Sequence, residues 1–274
     1  MLCGEVRFMI DTSILISVII PMYNSAGTII KALDSVKAQT FKCYYDVIVV
    51  NDGSKDNSQE LVENYIFEDS RFKLILINQE NGGVSTARNA GLRASRGDII
   101  AFLDSDDEWF SDKLQKQIKL LEINSNVDFL GCAFDGLYFS NIPDGSLLKI
   151  DVNKLIFKNY FQPSTVIMRR KVFEEIGCFD ENQKYAEEGN YFIRIANRFN
   201  CYFCNTKVIN YGDGKSGFGV TGLSANLKEM HKGFNKNLKF AYENNIISLK
   251  QYMLARVFES IKYLRRIVIV RLRK

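Results

Sequence analysis

Short apolar runs and segments of helical spacing alternate through the first hundred residues, and few folds accept that order. Residues 14–20 form an apolar run ending at Pro21, and residues 26–38 carry Ile29, Ile30, Leu33 and Val36 at helical spacing. Residues 46–50 are a second apolar strand, 58–67 a helix with Leu61, Val62 and Tyr65 on one side, and 72–77 a third strand. Residues 84–94 read as a helix and 99–103 as a fourth strand. Strands separated by helices predict an α/β fold: a mainly parallel sheet covered on both faces. In such a sheet ligands bind at the carboxyl ends of the strands.

Those ends are chemically distinctive. The first strand empties into Pro21-Met-Tyr23-Asn24, the second into Asn51-Asp52-Gly53-Ser54, and the fourth into Asp104-Ser105-Asp106-Asp107. Three carboxylates within four residues repel one another and resist burial. A divalent cation makes them favourable, more so when it also holds a phosphate. The cluster therefore predicts a metal-diphosphate site. If the strand extends through it, Asp104 and Asp106 share a side. Asp107 is expected to cap a helix beginning near Ser111 or to orient an acceptor. Gly82-Gly83, at the start of the third helix, can admit a ligand to the backbone where a helix terminus favours anions; an ordinary loop is the alternative.

The second half is less regular. Residues 127–134, 164–168 and 201–209 read as strands, and 187–200 as a helix with Tyr191, Phe192, Ile195 and Phe199 inward. Residues 211–222 hold five glycines and read as a loop; from 224 the pattern is helical. The expected organisation is an extension over 1–13, a catalytic domain over 14–223 divided at 107/108 into nucleotide-binding and acceptor halves, and a helical basic extension over 224–274.

Composition narrows the function classes. In 274 residues, 46% hydrophobic content suffices for a core, and 36 basic against 32 acidic residues does not argue for nucleic acid. The N-terminus lacks the pattern of a secretion signal, and no apolar run approaches a membrane span, so a reducing, cytosolic setting is expected for the six cysteines. Cys201-Tyr-Phe-Cys204 falls in a strand, where residues three apart face opposite sides, so buried thiols are expected there rather than a shared metal. The last thirteen residues contain six bases and no acid, with Leu264, Ile267, Val268 and Leu272 interleaved, as suits a helix lying on anionic lipid.

Taken in order, residues 16–24, 49–56, 81–89 and 102–107 resemble the successive motifs of family 2 glycosyltransferases. The resemblance covers about residues 14–200 and implies the GT-A fold and, commonly, inversion at the anomeric carbon of a nucleotide-activated sugar. It implies that Asp52 meets the uracil of a UDP-sugar, flanked by Pro21, Tyr23 and Asn24, and that Gly83, Arg88, Asp104 and Ser105 complete the nucleotide-sugar site. Asp106, with Asp104 in its shell, would hold Mn2+ or Mg2+. The Glu187-Glu188 pair corresponds to the family's Glu-Asp pair, whose second acid is the usual base. Glu188 stands where Asp is commoner, and Glu187 is the alternative base. Lys215, in the glycine-rich loop, would reach the diphosphate, with Asp107 and Trp109 on the acceptor side. The sole histidine, His231, lies in a polar helix and is expected outside the site.

Size, the 104–109 stretch and the basic C-terminus resemble bacterial enzymes that add glucose or galactose to GlcNAc or GalNAc on undecaprenyl diphosphate. Such an enzyme would work on the inner face of the cell membrane. A non-catalytic sugar-nucleotide or glycan-binding module on the same fold is the competing class. A nucleotidyltransferase is disfavoured by the absence of a basic glycine-rich loop after the first strand.

Overall fold

The computed structural model describes residues 14–212 and 223–272. The segments predicted in the first half are all present: β1 (Leu15–Met22), α1 (Ile29–Lys37), β2 (Tyr44–Asn51), α2 (Ser58–Glu63), β3 (Phe72–Asn78), α3 (Val84–Ala94) and β4 (Ile99–Phe102). Then follow β5 (Glu108–Trp109), α4 (Lys113–Ile123), β6 (Phe129–Ala133), β7 (Leu147–Ile150), α5 (Val152–Leu155) and a 3-10 turn (Pro163–Thr165). After it come β8 (Ile167–Arg169), α6 (Arg170–Ile176), α7 (Glu187–Ala196), β9 (Cys201–Lys207) and β10 (Ile209–Asn210). The chain ends in α8 (Leu227–Glu243) and α9 (Leu249–Leu272).

Eight strands make one sheet in the order β3-β2-β1-β4-β8-β6-β9-β7, and β5 pairs with β10 in a separate ribbon. β1, β2, β3 and β4 run parallel, as do β6 and β9. β8 runs antiparallel to β4 and β6, and β7 antiparallel to β9. This is the mainly parallel mixed sheet expected. Alternating side chains feed two cores. Ile16, Val18 and Ile20 pack with Ile29 and Leu33 of α1 and Leu114 and Ile118 of α4. On the opposite face Ile19, Ile100 and Phe102 pack with Leu92 of α3, Val172 of α6 and Tyr191 and Phe192 of α7. Cys201 belongs to the second core and Cys204 to the first, so this pair points to opposite faces as the strand reading required.

Several boundaries differ from the sequence expectation, each for a local reason. The expected strand over 164–168 begins as a 3-10 turn, with Pro163 in its first turn, and only Ile167–Arg169 pairs. The helix expected to 200 ends at Ala196, because Phe129 and Asp128 draw Asn200 into β9's start: both backbone N–H groups donate to the Asn200 carbonyl. The C-terminal helix is broken at Asn245, whose φ of +56° is a left-handed turn, and this folds α9 back along α8.

α3 is the element that positions the site, and it lies unusually close to β1. A Cβ built on Gly91 would stand 2.3 Å from Ile19 Cγ2. We expect Gly91→Ala to destabilise the protein by about 1–3 kcal/mol through overpacking, read as a lower urea midpoint with unchanged m-value.

Candidate active site

The carboxyl ends of β1, β2 and β4 lie side by side, with Asn51 of β2 donating to Asn78 of β3 at 2.9 Å. Asp52 follows β2 and is 3% exposed. Its Oδ1 accepts from Gln79 Nε2 at 2.7 Å and Gly82 N at 2.9 Å, and its Oδ2 from Gly83 N at 2.8 Å. Asp52 therefore accepts from the two backbone N–H groups that lead into α3, at Gly82 and Gly83, and makes no bond to the first turn of the helix itself. Asn24, at φ +49°, donates its N–H to Ser54 Oγ and accepts from Lys55 N at 2.8 Å, tying the first two strand ends together. Pro21 is buried; Tyr23 stands out into solvent beside it. Ser105 meets Ser25 Oγ at 2.7 Å.

Beyond β4 the chain turns rather than continuing as a strand. The Asp107 N–H donates to the Asp104 carbonyl at 3.0 Å, so the expectation that strand alternation aligns Asp104 with Asp106 does not hold. Asp106 is exposed at the tip and Asp104 is partly buried. Asp107 is 2% exposed and faces inward. It does not cap a helix near Ser111: α4 begins at Lys113 after Asp112. Its oxygens accept from Ser164 Oγ at 2.5 Å, Gln162 Nε2 at 3.0 Å and Gly212 N at 2.8 Å. Burial, then the Asp104 carboxylate, push its pKa up to about 7, against the Ser164 hydrogen bond. Trp109 is 4% exposed; its indole donates to the Ser164 carbonyl at 2.8 Å, and Lys113 Nζ lies 4.1 Å from the ring centroid. Both side chains expected on the acceptor side are thus turned to protein partners.

Arg88, on α3, is 4% exposed and joins the two halves. Its Nη2 donates to Asp104 Oδ1 at 2.8 Å and its Nη1 to Glu187 Oε1 at 3.0 Å. The guanidinium also lies 5.5 Å from the centroid of the Phe179 ring. Burial works against its charge, but Asp104 and Glu187 outweigh it and hold its pKa above the ordinary value. Glu187 and Glu188 open α7; Glu187 is buried and Glu188 half-buried. Burial, then the Glu187 carboxylate, raise the Glu188 pKa from 4.5 to about 8. Tyr211 sits in the same field: burial, then Asp107, Asp104, Asp106 and Glu188, push its phenol up to about 12.

Asp104 and Glu187 therefore meet at one arginine, with Glu188 in its field and Asp106 and Asp107 in the same turn as Asp104. Gln162, Ser164, Phe179 and Tyr211 complete the site and were not foreseen. The polar run Gln162-Pro-Ser-Thr165 ahead of a strand was the available signal. Lys215 lies outside the described residues. His231 is remote: it stacks on Tyr263 at 4.3 Å and approaches Glu259 at 3.7 Å, joining α8 to α9.

Among the described residues, no three His, Cys, Asp or Glu side chains gather tightly enough to hold a metal alone. Asp104 and Asp106 nonetheless fit the demand of Mg2+ or Mn2+, which take hard oxygen donors and commonly use one or two carboxylates plus substrate phosphates.

Parallel strand ends that gather carboxylates beside a buried arginine give this α/β fold the form of an enzyme with a polar, acidic site at one sheet edge. The model of Glycosyl transferase family 2 matches residues 17–177, more than half the chain, and the protein belongs to that family. It is 42% identical over 191 residues to the uncharacterized glycosyltransferase EpsJ of Bacillus subtilis, covering 64% of this chain and 54% of EpsJ. It is 33% identical over 194 residues to the amylovoran biosynthesis glycosyltransferase AmsB of Erwinia amylovora, covering 65% and 62% respectively. A glycosyltransferase of Rickettsia typhi is 32% identical over 206 residues, 71% of this chain and 63% of that one. The chain thus spans less than two thirds of the length of these relatives. Among solved structures, S. aureus TarS residues 1–349 with UDP superimposes with TM-score 0.61 at 20% identity, covering 88% of this chain and 80% of that one. The mannosyltransferase PcManGT of Pyrobaculum calidifontis, with GDP-Man and Mn2+, gives 0.65 at 22%, covering 86% and 68%. These likenesses establish the fold.

Removing the arginine leaves Asp104 and Glu187 unpaired. Arg88→Ala should cost about 3–5 kcal/mol of stability, read by urea denaturation. Arg88→Lys should recover only part, since one ammonium nitrogen does not span the two carboxylates as the two Nη atoms of the guanidinium fork do. Because the Glu188 pKa is raised on folding, the native state binds its proton more tightly, and stability falls as pH rises from 4.5 to about 8. Glu188→Gln removes that loss, so its Tm should gain on the wild type progressively between those pH values, with the Asp107 contribution remaining.

Proposed function

We propose that this glycosyltransferase is an inverting, divalent-metal-dependent enzyme that moves a hexose, glucose or galactose, from a UDP-sugar to a lipid-linked acceptor. The acceptor class is GlcNAc or GalNAc on undecaprenyl diphosphate, in the synthesis of a bacterial surface polysaccharide. The observation that carries the reading is the meeting of the Asp104–Asp107 turn, Arg88 and the Glu187–Glu188 pair at one sheet edge. The printed ligands of the structural relatives, UDP, UDP-GlcNAc and GDP-Man with Mn2+, support a sugar-nucleotide donor. AmsB, named for amylovoran biosynthesis, supports the polysaccharide setting.

In this reading Asp52, with Pro21, Tyr23 and Asn24, receives the uracil, and Asp104 and Ser105 adjoin the ribose. Mg2+ or Mn2+ held by Asp106 and Asp104 would offset the charge that develops on the leaving diphosphate. Glu188 takes the proton of the acceptor hydroxyl as that oxygen bonds to C1 and the C1–O bond to the diphosphate breaks. The raised pKa of Glu188 makes it a stronger base than an ordinary carboxylate once ionised. Arg88, already neutralised by Asp104 and Glu187, holds both acids in place rather than adding free positive charge.

The test is a panel of UDP-sugars against a short lipid-diphosphate GlcNAc or GalNAc acceptor, with product linkage read by NMR. Transfer should disappear with EDTA and in Asp106→Ala; metal-independent transfer overturns the metal assignment. Glu188→Gln should lose about 10²–10⁴-fold in kcat while still binding UDP. Unchanged transfer would move the base to Glu187, and UDP binding without transfer by the wild type would favour a binding module.

The membrane reading rests on α9. Leu249, Met253, Val257, Ile261, Leu264, Val268 and Leu272 are all exposed and recur at three- or four-residue spacing along its whole length. Exposed Lys250 stands at the first end of this face and Arg265 and Arg271 toward the other, and none of the described helices is long and apolar enough to cross a membrane. An apolar stripe with bases toward its ends suits the plane of an anionic bilayer, on the inner face of the cell membrane. Vesicles of phosphatidylcholine with phosphatidylglycerol should co-sediment the protein, pure phosphatidylcholine much less. Val257→Glu with Ile261→Glu should abolish sedimentation without unfolding.

A further inference from the structure

We infer that Asn237 on α8 is a positioning residue for the Glu187–Glu188 pair, acting by clamping the left-handed turn at Ala186. The inference rests on the proposed role of that pair.

Ala186 has φ +53° and ψ +33°, a conformation that a residue with a Cβ adopts only when its surroundings impose it. It immediately precedes Glu187, so this turn sets the direction in which both acids leave the backbone. The helix receives no side-chain cap of its own. Two buried amides impose the turn instead. Asn237 Nδ2 donates to the Ala186 carbonyl at 2.8 Å, and one N–H of Gln183 Nε2 is shared between the same carbonyl at 3.1 Å and that of Tyr185 at 3.0 Å. Gln183 Nε2 also donates to Asn237 Oδ1 at 2.7 Å, so the two amides fix each other's orientation. Gln183 is 3% and Asn237 4% exposed, which removes competing water.

The contact is close because the two helices permit nothing larger. A Cβ on Gly233 of α8 would stand 2.2 Å from the Tyr185 carbonyl oxygen, and one on Gly189 of α7 would stand 2.7 Å from Asn237 Nδ2. The neighbouring inward positions of α8, Leu238 and Ala241, are apolar and pack with Ile193 of α7. Packing alone would be served by an apolar residue at 237 as well. The amide there makes sense through the bonds it directs at the turn.

Transfer kinetics, UDP binding and backbone hydrogen exchange on the full chain test this. Asn237→Asp keeps the shape and the acceptor for Gln183 but turns an oxygen toward the Ala186 carbonyl; Asn237→Ala removes both bonds. Both should lower kcat by about 10- to 100-fold, the cost of a misplaced catalytic group, with donor KM and UDP Kd near wild type. Amides of residues 185–190 should exchange faster while those of β1 and β4 keep their protection. Adding Ala186→Gly to Asn237→Ala should restore a large part of kcat, because glycine holds the turn unaided. An undiminished kcat in both Asn237 variants, unaltered exchange at 185–190, or no recovery on adding Ala186→Gly overturns the inference. A wild type without transfer, or an active Glu188→Gln, instead overturns the reading on which it rests.

Discussion

One buried guanidinium holds this site together. Arg88 bonds Asp104, sixteen residues later, and Glu187, ninety-nine later, and so closes the first half of the sheet onto the start of α7. An ion pair of this kind stabilises little relative to apolar packing, yet it is expensive to break, because the buried Glu187 and the partly buried Asp104 would each lose its charge partner. Its service is geometric. The Asp104–Asp107 turn and the Glu187–Glu188 pair stand on elements with no sequence continuity, and the rigid two-pronged donor sets their separation.

Around that bridge the acids occupy different environments. Asp106 is exposed at the turn, Asp104 is neutralised by Arg88, and Asp107 is buried among Ser164, Gln162 and Gly212. Glu187 answers Arg88, and its neighbour Glu188 is left with burial and a like charge, which raise its pKa. Carboxylates adjacent in sequence have been given different charge environments by what surrounds them. Asp107 couples the acidic turn to the 3-10 turn before β8 and to the chain entering residues 213–222, so it organises three segments at once.

Much of the fold was legible in sequence because period and punctuation are local. The runs in β1, β2, β3 and β4, and the spacing in α1 and α3, announced themselves through side chains a few residues apart. β5 and its pairing with β10 did not, since two-residue strands exist only through their partners across the chain, and β8 was foreseen over 164–168 but not its 3-10 start. Parts of the candidate site were legible for two reasons. Asp52, Asp104 and Asp106 stood out as charged residues at strand ends, whereas Arg88 and the Glu187–Glu188 pair were marked by the order of motifs along the chain. Gln162, Ser164, Gln183 and Asn237 did not stand out, because a neutral polar side chain has no pattern until its partner is known.

The sequence by itself determined the α/β class and the family, since each follows from hydrophobic period and from motif order along the chain. Only the tertiary structure decided which acid faces solvent, which is buried and which is paired. It turned the segment after β4 back on itself, gave the Gly82 and Gly83 N–H groups to Asp52, set Ala186 in a left-handed turn beneath α8 and exposed the apolar stripe of α9. Those outcomes depend on burial and on partners tens of residues away, and desolvation and distance, which govern charge, are properties of the folded chain alone.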